Sequence, residues 1–456
     1  VQSIDRDILR LAVPALGALV AEPLFLLTDT ALVGHLGADS LAGLGVASAL
    51  LQTIVGLLIF LAYATTPAVA RRLGAGDTPG AIRAGIDGMW LAVGIGVVLA
   101  VAGWFASGAL VSLFGSTPAV EREATTYLTI SFLGLPGMLV VIAATGLLRG
   151  LQDTRTPLVV AVAGFAANAV LNVVLIYGAG WGIAGSAVGT VLAQWAMAAV
   201  YVVIAVRAAR ATGVSLRPGL DGVTGAASAG GWLFLRTASL RVALLASVVV
   251  ASSLGVVQLA AFQIAMTVFT TLALILDALA IAGQAMIGHG LGASDVERVH
   301  AVTRRLVRWG VLSGVVLGVA LAALAPFAGV VFSPDPGVRA ALAVCLFVMA
   351  AGIPIGGYVF VLDGVLIGAG DARYLALTGL VNLAVYAPLL AWVALAQPAG
   401  AAGLAWLWAA FGFGYIGARA VTLGLRARGS RWIVTGRGGP GGRDDASAGS
   451  MTPDAA

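Results

Sequence analysis

Six charged residues stand inside long apolar runs of this 456-residue chain: Glu22, Asp29, Arg236, Arg241, Asp277 and Asp363. A charge at the centre of a membrane-spanning helix costs about 2.5–3.5 kcal/mol on insertion scales, so such groups are kept where they handle ions or line a wet cavity. Glu22 and Asp29 are seven residues apart and share one face of the first run, which also carries Pro14 and Pro23. Proline removes a backbone hydrogen bond and can kink a helix. An acid beside a kink suits a switch: protonation changes the hydrogen-bond demands of the carboxylate, and a weakened helix bends in response. The alternative is a carboxylate paired permanently with an arginine such as Arg236.

Neutral oxygens accompany these acids. Asn168 and Asn172 lie one helical turn apart, and Thr190 falls in the next run. With Asp29 they make a candidate proton or cation site, because hard cations prefer oxygen ligands; the same groups would also serve as interhelical hydrogen-bonding glue. Gln263, Thr270, Asp277 and Gln284 each follow the last by seven residues. That spacing keeps them on one seam about 31 Å long, read here as the wall of a wet substrate cavity to which Glu22, Gln52 and Asp363 also contribute. No nucleophile elbow or metal-spaced His/Cys cluster appears, and all 25 basic residues are arginine. Without lysine there is no phosphate-binding P-loop and no Schiff base. The expectation is a non-enzyme with no cofactor and no resident metal, driven by a coupling ion, H⁺ or Na⁺.

The elements that must carry these groups are membrane spans. The chain is 60% hydrophobic and 10% charged, with a mean hydropathy of +1.03; a soluble chain carries about 25% charge. Apolar runs long enough to cross a bilayer, about 20 residues, recur at about 8–33, 41–69, 84–113, 119–148, 157–178, 182–206, 226–253, 257–288, 302–331, 338–367, 374–396 and 400–425. A transmembrane barrel would alternate apolar and polar residues; these runs do not. The first run lacks a small-residue cleavage site and reads as a span, not a signal peptide. Arginines gather in alternate loops (Arg71, Arg72 and Arg83; Arg149 and Arg155; Arg207, Arg210 and Arg217; Arg298, Arg304, Arg305 and Arg308; Arg373), whereas the opposite loops hold Arg122 and Arg339. By the positive-inside rule both termini are cytoplasmic in a multi-pass protein of the plasma (inner) membrane. The net charge of +5 is then a topology label, with no nucleic-acid partner implied.

The two halves match at a constant shift of 218 residues. Leu36–Asp77 overlies Leu254–Asp295 without a gap, with 14 of 42 positions identical. The same shift carries Gly134-Leu-Pro136 onto Gly352-Ile-Pro354, and Gly146, Gly150, Asp153 and Arg155 onto Gly364, Gly368, Asp371 and Arg373. A repeat of six spans begins and ends on one side, so the halves are parallel repeats about an axis along the membrane normal. The expected architecture is all-α: an N-lobe at 1–206, a cytoplasmic linker at 207–225, a C-lobe at 226–428 and a disordered tail at 429–456. Its partners would be the lipid bilayer and a small-molecule substrate, with the chain acting as a monomer. Four embedded acids against two embedded arginines do not give the arginine-rich cavity that a phosphate-bearing lipid-linked precursor would want.

The chain resembles the multidrug and toxic compound extrusion (MATE) family, most closely its DNA-damage-inducible-protein-F branch. The carriers are Leu27-Thr-Asp29-Thr-Ala-Leu-Val-Gly34, Leu73-Gly-Ala-Gly-Asp77, Gly146-Leu-Leu-Arg-Gly150-Leu-Gln-Asp153-Thr-Arg155, Asn168 with Asn172, Leu276-Asp277 through Gln284, and Asp363-Gly-Val-Leu-Ile-Gly-Ala-Gly-Asp371. The resemblance implies a V-shaped pair of six-helix bundles that exports organic, often cationic or amphipathic, compounds in exchange for H⁺ or Na⁺. It implies that Asp29 is the proton or cation residue, that Pro14 marks the bend in helix 1, and that Asn168, Asn172 and Thr190 form a polar pocket beside it. Some relatives carry an aspartate where this chain has Asn172, which removes a negative charge and favours H⁺. Other uses of the fold are flipping of a lipid-linked precursor and export of an endogenous metabolite.

Overall fold

The computed structural model describes residues 2–436. The twelve spans appear as α1 (Gln2–Gly34), α2 (Ala38–Gly74), α3 (Thr78–Ser112), α4 (Pro118–Phe132 and Leu135–Gly150), α5 (Arg155–Gly178), α6 (Gly182–Thr212), α7 (Leu220–Leu254), α8 (Val256–Gly292), α9 (Val296–Phe332), α10 (Pro336–Gly368), α11 (Ala372–Ala396) and α12 (Ala401–Arg428). No strand occurs among the described residues. Turns between spans are short and use repeated caps. Asp77 accepts from Gly80 N at 2.9 Å and starts α3; its equivalent Asp295 accepts from Arg298 N at 2.9 Å and starts α9. Such a cap satisfies one of the backbone donors left open at a helix start.

The duplication is visible in packing as well as in sequence. Gly146 of α4 lies on the Ala62 backbone of α2, and Gly364 of α10 lies on the Ala280 backbone of α8. These are the same contact moved by 218 residues. Between the lobes the symmetry is reciprocal: Gly74 at the end of α2 rests on the His289 carbonyl, and Gly292 at the end of α8 rests on the Arg71 carbonyl. The shift exchanges one contact for the other, which places the pseudo-twofold axis between the ends of α2 and α8.

This contact closes the lobes at the end bearing the described termini. Around it Asp5 accepts from Arg305 and from Trp309 Nε1 (2.9 Å), and Asp7 pairs with Arg298 at 3.3 Å, tying α1 to α9. At the opposite end Gln52 and Thr53 of α2 and Gln263 and Thr270 of α8 are exposed. The lobes therefore meet at the end bearing the described termini, while polar residues of α2 and α8 nearer the other end are exposed. α1 stays helical across Pro14 and Pro23. α4 bends by 52° at Gly134-Leu-Pro136, and the bend re-aims its outer half.

Two expected boundaries move. α6 continues to Thr212 and α7 starts at Leu220, so the irregular linker is 213–219 instead of 207–225. It is held to α3, where Asp87 accepts from Gly219 N at 2.8 Å and Arg83 donates to the Ser215 carbonyl at 2.9 Å. The tail does not become free at 429. Trp432 is fully buried, Arg71 donates to the Val434 carbonyl (2.7 Å) and to the Ala369 carbonyl (2.6 Å), and Gly436 N donates to the Leu291 carbonyl (3.0 Å). An aromatic anchor and two hydrogen bonds, at Val434 and Gly436, hold 429–436 against the closed end; the rest of the expected disordered tail lies outside the described residues.

Candidate functional site

Asp29 is buried, 3% exposed, at a meeting of four helices of the N-lobe. One carboxylate oxygen accepts from Asn172 Nδ2 of α5 at 2.8 Å and from Ser186 Oγ of α6 at 2.5 Å. The other accepts from the Tyr127 hydroxyl of α4 at 3.2 Å. Local sequence makes this approach possible. Gly189 faces Asn172 so closely that a Cβ there would overlap Oδ1. α5 ends in a π-helical turn, Val174–Gly178, a distortion often found at functional sites. The α4 bend carries Tyr127 inward.

Three neutral oxygens of α5 and α6 remain open. Asn168 and Asn172 (both Oδ1) and Thr190 (Oγ1) are buried and have no hydrogen-bond partner among the described residues. Asn168 is one turn before Asn172, and Thr190 one turn after Ser186. A buried polar atom left unpaired costs about 1–3 kcal/mol, and the Asn172 oxygen beside Asp29 is free to accept from a proton carrier or to bind a cation. The donor set fits a proton on Asp29 or a hard cation bound by oxygens. Of the expected residues Asp29, Asn168, Asn172 and Thr190, Asn172 contacts Asp29 directly, Thr190 neighbours the Tyr127 hydroxyl, and Asn168 lies one turn before Asn172. The sequence reading missed Ser186, legible only as the residue one turn before Thr190, and Tyr127, which carried no spacing signal.

Other expected groups go elsewhere. Arg236 is not a partner for Glu22 or Asp29: it pairs with Asp363, which also accepts from Arg419 at 2.7 Å. Asp363, 6% exposed, is thus the centre of a buried triad and no cavity-wall group. Arg236 also lies 5.8 Å from the Tyr63 ring centroid, so this C-lobe cluster touches α2. The seam on α8 is not uniform: Gln263 and Thr270 are exposed, Asp277 is half-buried and Gln284 is buried. Gln284 sits where Gly368 of α10 packs onto its backbone, so the wet wall stops short of it. Glu22 lines a cavity of about 130 Å³ in the N-lobe together with Arg149. Arg149, counted above as a loop residue, is 7% exposed in the last turn of α4. Arg71 in the last turn of α2 and Arg419 of α12 are buried as well, so the embedded arginines are no longer outnumbered. The excess of embedded acids that spoke against a phosphate-bearing substrate is gone.

Twelve apolar spans in two parallel repeats, with a buried carboxylate site in one lobe, define a polytopic membrane transporter. The chain matches the MatE family model over residues 14–174 and 233–393. It is 31% identical over 433 residues to Protein DETOXIFICATION 43 of Arabidopsis thaliana (81% of each chain) and 28% identical over 320 residues to DNA damage-inducible protein F of Escherichia coli K12 (67% of this chain, 68% of that one). Among solved structures, an outward-facing multidrug resistance MATE family transporter of the MOP superfamily has a TM-score of 0.83 at 21% identity (95% and 97% coverage). A Vibrio cholerae MATE transporter has a TM-score of 0.85 at 18% identity (95% and 99%). This chain belongs to the MatE family of multidrug and toxic compound efflux transporters; it is a transporter and not an enzyme.

Proposed function

We propose that this chain exports organic cationic or amphipathic compounds by antiport, with Asp29 as the group that takes up and releases the coupling ion. The observation that carries this reading is the Asp29 cluster: one buried acid held by side-chain donors from three other helices. In the mechanism, ionised Asp29 coexists with a cationic substrate. Uptake of an external ion then alters the hydrogen bonds to Tyr127, Asn172 and Ser186, α1 bends at Pro14, and the N-lobe pocket empties. The neutral Asn172 keeps the site's charge at one, which favours H⁺ over Na⁺. The driving force is adequate, since one charge crossing 100 mV supplies about 2.3 kcal/mol. The arginine-rich loops favour cytoplasmic termini in the plasma membrane, so the end away from the closing contact faces outward. Both lobes lie in one chain, and a monomer without cofactors suffices.

The test is Asp29→Asn expressed in a drug-hypersensitive host. Loss of resistance at normal protein levels is the expected result; resistance equal to wild type would refute the role of Asp29. The buried Arg71, Arg149 and Arg419 support a second reading, an exporter of an endogenous metabolite or lipid-linked precursor on the same fold. That reading predicts ion release driven by anionic compounds and none by ethidium-like cations.

A further inference from the structure

A second cavity, of about 910 Å³, opens at the end of the molecule that bears the described termini. It lies between the start of α1, which supplies Arg6, Asp7 and Arg10, and the α4–α5 turn, which supplies Asp153, Thr154 and Arg155. Arg10 is about 28 Å along α1 from Asp29, so this space is separate from the ion site. It shares no lining residue with the cavity around Glu22.

The two carboxylates here are already engaged. Asp7 pairs with Arg298 at 3.3 Å, and Asp153 accepts from Arg155 N and Thr156 N, each at 3.0 Å. The guanidinium groups of Arg6, Arg10 and Arg155 make no hydrogen bond or ion pair among the described residues. Thr154 is 3% exposed, and its Oγ1 has no partner. Three unpaired cations around one space call for an anion. Arginines at this end are expected from topology, but the duplication shows that the fold does not require these. A shift of 218 residues puts Thr224, Ser228 and Ala372 in the places of Arg6, Arg10 and Thr154, and only Arg155 is matched, by Arg373.

The helix surfaces leading away from the cavity are apolar. Leu9 and Val13 continue the α1 stripe of Arg6 and Arg10 at helical spacing, and Val159 and Val162 continue the stripe of Arg155 on α5. All four are exposed, and α1 packs against α5. Two neighbouring stripes, each apolar and each ending in unpaired arginine, have the polarity of a phospholipid.

We propose that this cavity binds the phosphate headgroup of an anionic phospholipid, whose acyl chains lie along Leu9, Val13, Val159 and Val162. The phosphate oxygens accept from Arg6, Arg10 and Arg155, whose planar forks match them. Basic pockets between spans on the cytoplasmic side are suited to such headgroups. A soluble phosphate ester would use the cations and leave the apolar stripes bare. Asp7 and Arg10 also line a small cleft that reaches His289 and Arg298 of the C-lobe, so the headgroup sits beside the tie between α1 and α9. Lipid binding here is independent of what the chain exports.

Native mass spectrometry of the purified full chain counts bound lipid and gives its affinity. The probes are dioleoylphosphatidylglycerol, dioleoylphosphatidylcholine with the same chains and a zwitterionic headgroup, and glycerol 3-phosphate, which has the phosphate without chains. Wild type should prefer the anionic lipid to the zwitterionic one by about tenfold and retain no glycerol 3-phosphate. Arg6→Gln, Arg10→Gln and Arg155→Gln combined should weaken the anionic lipid about 100-fold, about fivefold for each arginine. Arg207→Gln, Arg210→Gln and Arg217→Gln combined, which remove as many exposed arginines from the same end, should leave the affinity unaltered. Equal affinity for the two lipids, or glycerol 3-phosphate bound as tightly as the anionic lipid, overturns the inference. So does an equal effect of the two triple variants. The comparison of probes on wild type decides the matter even where the first variant fails to fold.

Discussion

The closed end of the molecule depends on two glycines, and replacing either has a calculable effect on conformation. Gly292 rests on the carbonyl of Arg71, and Gly74 on the carbonyl of His289. In Gly292→Ala the new methyl group overlaps backbone, which cannot rotate away, so the ends of α2 and α8 must separate. Forcing an extra carbon into a packed contact costs about 1–3 kcal/mol. The cost falls only on the state in which the lobes touch here, and it shifts the ratio of closed to parted forms about 5-fold to 150-fold. Gly74→Ala, its partner under the 218-residue shift, should act alike. Double electron–electron resonance reads the shift with labels at Asp39→Cys and Val256→Cys, exposed positions at the other end, after the buried Cys345 is replaced by alanine. Each variant should enrich the population with shorter label separation. Distance distributions identical to wild type in both variants would refute the assignment of this contact as the closing gate.

Three further outcomes follow from the same contacts. Ser186→Ala removes a short charge-assisted hydrogen bond to Asp29, worth about 1.5–3 kcal/mol; coupling-ion affinity, measured by substrate-driven ion release, should change by more than tenfold, with Tyr127→Phe altering it less through its longer bond. Asp363→Asn leaves Arg236 and Arg419 buried without their shared anion, and breaking a buried pair costs about 3–5 kcal/mol; thermal unfolding in detergent should show a marked loss of stability. Trp432→Ala empties a fully buried site and should cost about 3–5 kcal/mol, whereas a free tail would leave the melting temperature unchanged.

The spans and their duplication were legible because apolar run length and a constant shift are properties of the sequence itself. Asp29, Asn168, Asn172 and Thr190 stood out for the same reason: polar atoms are conspicuous in hydrocarbon. What neighbours them was not legible. In spans apolar on every side the 3.6-residue period does not say which face meets which helix, so nothing pointed Tyr127 at Asp29 or Arg419 at Asp363. Arg149 was misplaced because two residues of sequence separate a loop from a last helical turn whose side chain points inward. Gln284 shares its seam with Gln263, but only packing against Gly368 determines that one end is dry. Trp432 lay in a Gly-rich polar stretch whose composition hides a single aromatic anchor.

The central claim is that Asp29 exchanges the coupling ion for substrate, and the most direct measurement is substrate-induced ion release in proteoliposomes containing purified protein. With an imposed proton gradient and no Na⁺, addition of an ethidium-like cation should release protons from wild type, and Asp29→Asn should release none while still reconstituting. Proton release by Asp29→Asn at the wild-type rate would contradict the account.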